Sequence, residues 1–233
     1  MIKNKTFKTF YLAAFLIIQA VLGYFVQTTS GKLCSSISLS IIILSLLTII
    51  IFYKRDTLHF LTLIAYINTL CADFFLCGLV DFENIKVVAM VFFSITQIFY
   101  FLRLYSNHLY TSEKRIHLIV RILLTVIVLT VTFIVLGKNN NLLAVISMFY
   151  FTNLFINLIY AFIQIKRAPL FAIGLLLFAF CDTVIGFSFL PSFLSVPKGS
   201  FIDIVNNADI NLAWLFYTPS QTLIAFDSAI KKD

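Results

Sequence analysis

The chain has 233 residues, of which 61% are hydrophobic and only 12% charged, and its mean hydropathy of +1.02 makes lipid rather than water its main solvent. A formal net charge of +7 would suit a nucleic-acid binder, but the basic residues sit between apolar runs and form no stripe. They read as topology signals and contacts to anionic headgroups, which leaves residues 1–233 as one integral membrane domain with no room for a soluble one and no nucleic-acid partner.

Apolar runs long enough to cross about 30 Å of hydrocarbon fall at 10–26, 35–53, 58–80, 86–105, 116–137, 142–165, 169–190 and 207–229. Turn-forming residues separate them, among them Ser30-Gly31, Asp81 to Asn84, Gly137 to Asn141 and Pro191 to Asn206. Runs of this length without strict alternation must satisfy their own backbone hydrogen bonds, so they are helices. The expected fold class is all-α, a polytopic membrane bundle of about eight transmembrane helices. The first run follows Lys3, Lys5 and Lys8 as a signal peptide would, but Gln27 to Gly31 offers no small-x-small cleavage pattern, so an uncleaved span is expected. Eight spans put both termini on one side. Thirteen of the 17 Lys and Arg residues fall on or near that side, all but Lys32, Lys86, Lys138 and Lys198. The positive-inside rule makes that side cytoplasmic, which for a bacterial chain means the inner membrane. In the longest connection, Ser200-x-x-Asp203 has capping-box spacing and predicts a short interfacial helix.

Two spans carry an acid at depth: Asp73 in the third, about 15 residues in, and Asp182 in the seventh, about 13 residues in. A rise of 1.5 Å per residue places both roughly 20 Å from the inner face, slightly outward of centre. An ionised Asp at bilayer depth costs roughly 2.5–3.5 kcal/mol even on insertion scales, so such residues point to function. Small residues near each (Ala72 and Gly78; Ala179 and Gly186) would let helices approach closely. The chain is weakly duplicated, with an Asp in one span and a Gln and a Tyr in the next: Gln97 and Tyr100, then Tyr217 and Gln221, each pair on one helix face. Tyr66 and Thr69 share a face with Asp73, whereas Asn153 and Asn157 read as interhelical hydrogen-bond formers. His59, His108 and His117 all lie toward the cytoplasmic ends, far from the Asp layer. A zinc site needs three or four convergent ligands, so no metal and no cofactor is expected. Cys71, Cys77 and Cys181 lie inside spans as packing residues, and Cys34 has no evident partner.

These residues resemble the lysoplasmalogenases, the YhhN-like membrane proteins. Asp73 followed by Leu76 is similar to their Gly-Asp-x-x-Leu segment, Phe178 to Asp182 to their Phe-x-x-Ser-Asp segment, and Tyr217 with Gln221 to the tyrosine and glutamine of their last span. The resemblance covers most of the chain through short motifs. It departs at Ala72, where Gly is usual, at Cys181, where Ser is usual, and at Gln97, where a His is common. It implies hydrolysis of the vinyl ether bond of a lysoplasmalogen, with Asp73 and Asp182 as an acid–base pair. Tyr66, Gln97, Tyr100, Tyr217 and Gln221 would then line a lysophospholipid site, with Phe74 and Phe178 near the lipid tail. The chemistry suits two carboxyls, one protonated and one ionised, as in glycosidases, which pass through a similar oxocarbenium ion. Two other classes stay open from the residues: a proton-coupled carrier using the same Asp pair as a relay, and a non-catalytic membrane protein. Membrane lipids are partners in every case, and the oligomeric state is not encoded in any pattern found.

Overall fold

The structure, a computed structural model, describes residues 5–106 and 111–230, with the side chains of all but 111–114. Of the groups weighed above, Lys3, His108, Lys231 and Lys232 lie outside the described residues, as does the Lys114 side chain. The described chain is helical with no strand. In order the helices are α1 (Lys5–Thr28), α2 (Gly31–Ile51), α3 (Thr57–Leu76), α4 (Ile85–Ser106), α5 (Thr111–Leu136), α6 (Leu142–Ile163), α7 (Pro169–Phe189), α8 (Phe201–Asn206) and α9 (Leu212–Ile230).

Local chemistry sets the ends. Asp56 caps α3 by accepting from the His59 amide at 2.8 Å, and Asn141 caps α6 by accepting from the Ala144 amide at 2.9 Å. Pro169 occupies the first turn of α7, where its missing N–H costs nothing. The third helix ends at Leu76 rather than at 80, because Gly78 turns the chain with φ of +66°. The six-residue α8 forms where expected: the Asp203 amide donates to Ser200 Oγ at 3.3 Å, and the Asp203 carboxylate accepts from the Gly199 amide at 2.8 Å.

Helices α1 to α7 are each long and apolar enough to span a membrane. The fold is a polytopic helical bundle. The last helix, α9, is 19 residues long and more polar, burying Thr218, Ser220, Gln221, Thr222, Asp227 and Ser228. It tolerates them because it packs against α7, α2 and α1, so protein rather than lipid surrounds its polar face. Reporter fusions after Lys232 and within 139–141 test whether α9 crosses: opposite sides are expected, and the same side would remove it from the span count.

The packing runs in a closed sequence, α2 on α3, α3 on α4, α4 on α6, α6 on α7, α7 on α9 and α9 back on α2. Helix α1 packs outside α2 and α9, and α5 outside α6. The duplication legible in the sequence thus extends to architecture, with α1–α4 matched by α5, α6, α7 and α9. Hydrogen bonds repeat with it. On α1, Gln19 Nε2 donates to Ile41 O at 3.0 Å and Ser45 Oγ at 2.9 Å on α2. On α5, Arg121 donates to Asn153 Oδ1 and Asn157 Oδ1 on α6, both at 2.6 Å. The acceptors are four residues apart in each half, one helical turn. Asn153 and Asn157 are therefore interhelical connectors, as read from the sequence.

Close approach is set by glycines other than those expected. A Cβ on Gly78 or Gly186 would meet nothing within 4 Å, whereas one on Gly174 would come within 2.5 Å of Ile224 Cγ1 and 3.2 Å of Ser220 O. The glycines that matter are thus Gly174, in the first half of α7 against α9, and Gly23 of α1, where a Cβ would come within 3.0 Å of Thr218 Cγ2. Gly174→Val should wedge α7 and α9 apart at a cost of about 1–3 kcal/mol, the range for overpacking. Gly186→Ala should be neutral or stabilising by up to about 1 kcal/mol. Thermal unfolding in detergent checks both.

Candidate functional site

Asp73 is 8% exposed and lies three residues from the end of α3, so the early stop at Leu76 puts it nearer the end of the bundle than the sequence implied. Asp182 is half-buried and lies seven residues from the end of α7, at the same end. Each carboxylate accepts a hydrogen bond from a tyrosine: Tyr217 OH donates to Asp73 Oδ2 and Tyr150 OH to Asp182 Oδ2. The two acids lie within electrostatic reach of each other, and Cys181 within reach of both. Two rings join the tyrosines: Tyr150 meets Phe93 at 5.7 Å, Phe93 meets Phe178 at 6.1 Å, and Phe178 meets Tyr217 at 6.0 Å between centroids. An apolar aromatic wall thus backs two polar pairs.

The tyrosines break the internal repeat. The donor to Asp73 comes from α9, in the other half of the chain, while the donor to Asp182 comes from α6, in its own half. Tyr150 carries no Gln partner and belongs to no motif, so sequence reading passed over it. Its place eight residues into α6, opposite Asp182 on α7, was the available signal.

The other expected residues lie deeper. Tyr66, Gln97, Tyr100 and Gln221 are fully buried. Tyr66 OH donates to Gln221 O at 2.7 Å. Gln97 accepts from Asn157 Nδ2 through both its backbone oxygen and its Oε1, at 2.8 and 2.9 Å. Tyr100 packs edge-on to Phe171 at 5.4 Å. Phe178 lies inside the aromatic wall, but Phe74 is 40% exposed and packs on Phe75 at 5.8 Å, so it faces away from the interior.

A third buried acid was missed. Asp227, three residues from the end of α9, is 6% exposed and accepts from Arg103 Nη2 of α4 at 2.6 Å, with the guanidinium 3.8 Å above the Phe171 ring. Arg103 and Arg121, counted above as cytoplasmic topology charges, are both buried and paired inside the bundle. Without them the asymmetry is eleven against four, in the same direction. His59 is likewise structural: its ring bonds Asp56 Oδ2 and Ser228 O, both at 2.8 Å, tying the start of α3 to the end of α9.

Gln97 Nε2, Tyr100 OH, Arg103 Nη1, Ser220 Oγ and both amide atoms of Gln221 are buried with no hydrogen-bond partner among the described residues. A dry, unpaired group of this kind costs about 1–3 kcal/mol. Among the described residues no three His, Cys, Asp or Glu side chains converge as a metal site would require. An open cleft of about 410 Å³ lies between the first turns of α4 and α6, lined by Asn84, Lys86 and Asn141 among others, apart from both acids.

Fold and site together define an integral, multi-pass membrane protein with paired Asp–Tyr groups in its interior. No family model, no curated protein and no solved structure matches the chain.

Proposed function

We propose that this protein is a membrane-embedded, metal-independent hydrolase of the vinyl ether bond of lysoplasmalogens. The observation that carries the reading is the pair of interior acids on α3 and α7, within electrostatic reach of one another and each held by a tyrosine hydroxyl. One carboxyl, protonated, gives its proton to the β-carbon of the vinyl ether and leaves an oxocarbenium ion. The other, ionised, takes a proton from water as the water oxygen bonds to the α-carbon. The hemiacetal then collapses, breaking the carbon–oxygen bond to release a fatty aldehyde and a glycerophospho-alcohol. Tyr217 and Tyr150 fix one oxygen of each carboxylate, leaving the other for the substrate, and the aromatic wall suits a cation and an alkyl chain. Tyr66, Gln97, Tyr100 and Gln221 would line the polar floor. The termini would be cytoplasmic and the substrate a lysophospholipid drawn from the surrounding membrane.

Purified protein incubated with lysoplasmalogen tests the reading, with fatty aldehyde as the readout. Release that persists after chelation is expected. No aldehyde at any pH would remove the assignment, and activity abolished by chelation and restored by zinc would remove the mechanism while sparing the reaction.

The buried Arg103–Asp227 pair favours a second reading, a proton-coupled carrier, because carriers place relays of buried ionisable groups along a span. Proton flux in vesicles without aldehyde release would select it.

A further inference from the structure

Helices α4 and α9 each bury a set of polar side chains, and the Arg103–Asp227 pair joins them across the interior. On α4 these include Gln97, Tyr100 and Arg103; on α9, Tyr217, Gln221 and Asp227. Gln97 and Arg103 are six residues apart, as are Gln221 and Asp227, so each helix carries an amide and a charge at the same spacing, about 9 Å along its axis. Arg103 bonds Asp227 across the interior, and Tyr66 from α3 lies within electrostatic reach of Tyr100, Arg103 and Asp227. From Tyr217, which holds Asp73, to Asp227 is ten residues, or about 15 Å along the helix axis.

Along this column the two helices carry six polar atoms, of Gln97, Tyr100, Arg103, Ser220 and Gln221, with no hydrogen-bond partner among the described residues. The five residues are each at most 3% exposed. Six dry, unpaired groups would cost together an amount rivalling the net stability of a small domain. Apolar replacements of similar shape would carry no such penalty. Buried polar groups of native proteins are satisfied, and where no protein partner exists the partner is water. The set offers both donors and acceptors. Its one cation is neutralised by Asp227, so the column carries no fixed net charge that would draw an anion or a metal ion.

The geometry points to a file of water molecules held between α4 and α9, running from the Asp73–Tyr217 pair down to the Arg103–Asp227 pair. Beyond Asp227, Ser228 O meets the His59 ring, whose other nitrogen bonds Asp56, at the end of the bundle, so the file delivers water and protons to Asp73 from the side opposite the nearer membrane surface. The inference does not rest on the hydrolase reading. A carrier would use the same file, and its failure would leave the aldehyde assay as the separate judge of hydrolysis.

Hydroxyl-radical footprinting by X-ray pulse, on the full chain in lipid nanodiscs with oxygen-18 water, tests it. Radicals form from water in place, so a buried ring is oxidised only beside a bound water. Tyr66 and Tyr100 should be oxidised at least about tenfold faster than Phe15, an equally buried ring on α1 outside the column. The Gln97→Leu, Gln221→Leu double variant should bring Tyr100 down toward the Phe15 rate. Equal rates for Tyr66, Tyr100 and Phe15 in the unaltered protein would overturn the file. Undiminished Tyr100 oxidation in the double variant would overturn its course along the amides. If that variant does not fold, the rates in the unaltered protein decide alone.

Discussion

Replacing either Asp73 or Asp182 by Asn should lower turnover of a lysoplasmalogen by at least about 100-fold, the low end for acid–base catalysis. Asn keeps the shape of Asp and can accept the tyrosine hydrogen bond through its amide oxygen, so each variant should fold and bind an uncleavable ether analogue. What it loses is the proton that one carboxyl gives and the other takes. Turnover in the unaltered protein should therefore fall at both low and high pH, as one group gains its proton or the other loses it. Tyr150→Phe and Tyr217→Phe leave the carboxyls intact but release the oxygens that the hydroxyls hold. They should reduce turnover less than the Asn variants and shift its pH profile. The outcome that sinks the two-carboxylate mechanism is full activity in either Asn variant.

The largest effect on stability should come from half-removal of the Arg103–Asp227 pair. The 2.6 Å contact lies between side chains only 3% and 8% exposed, so Arg103→Leu leaves a buried carboxylate and Asp227→Leu a buried guanidinium. Breaking a buried pair from one side costs about 3–5 kcal/mol. The double Leu variant removes both charges and their desolvation together and should be markedly more stable than either single variant. Thermal unfolding of the four proteins in detergent gives the coupling. Single variants as stable as the unaltered chain would mean that the pair is hydrated enough to lose a partner without penalty.

The same contact shows where sequence reading stopped. Arg103 sits within four residues of a helix end and Asp227 in the last turn of its own. Local position assigned the first to topology and gave the second no role. Only the packing of helices more than 100 residues apart in the chain reveals that they are one unit. Tyr150 is a similar case: it belongs to no motif, and its role as a donor to Asp182 exists only because α6 rests against α7. Gly174 and Gly186 are alike as letters and differ in what the next helix brings to them.

By itself the sequence determined the medium, the helical character of the spans, most of their ends, and the identity of the two acids inside them. Each of these follows from a local quantity: the length of an apolar run, the need to close backbone hydrogen bonds within one segment, a capping side chain, or the cost of a charge in hydrocarbon. The tertiary structure decided which tyrosine meets which carboxylate, that Arg103 and Asp227 are partners, and that the polar α9 is shielded by its neighbours. Those depend on the rotation and crossing of helices distant in sequence. In a bilayer, where apolar surface does not discriminate one helix partner from another, small residues and interhelical hydrogen bonds make that choice.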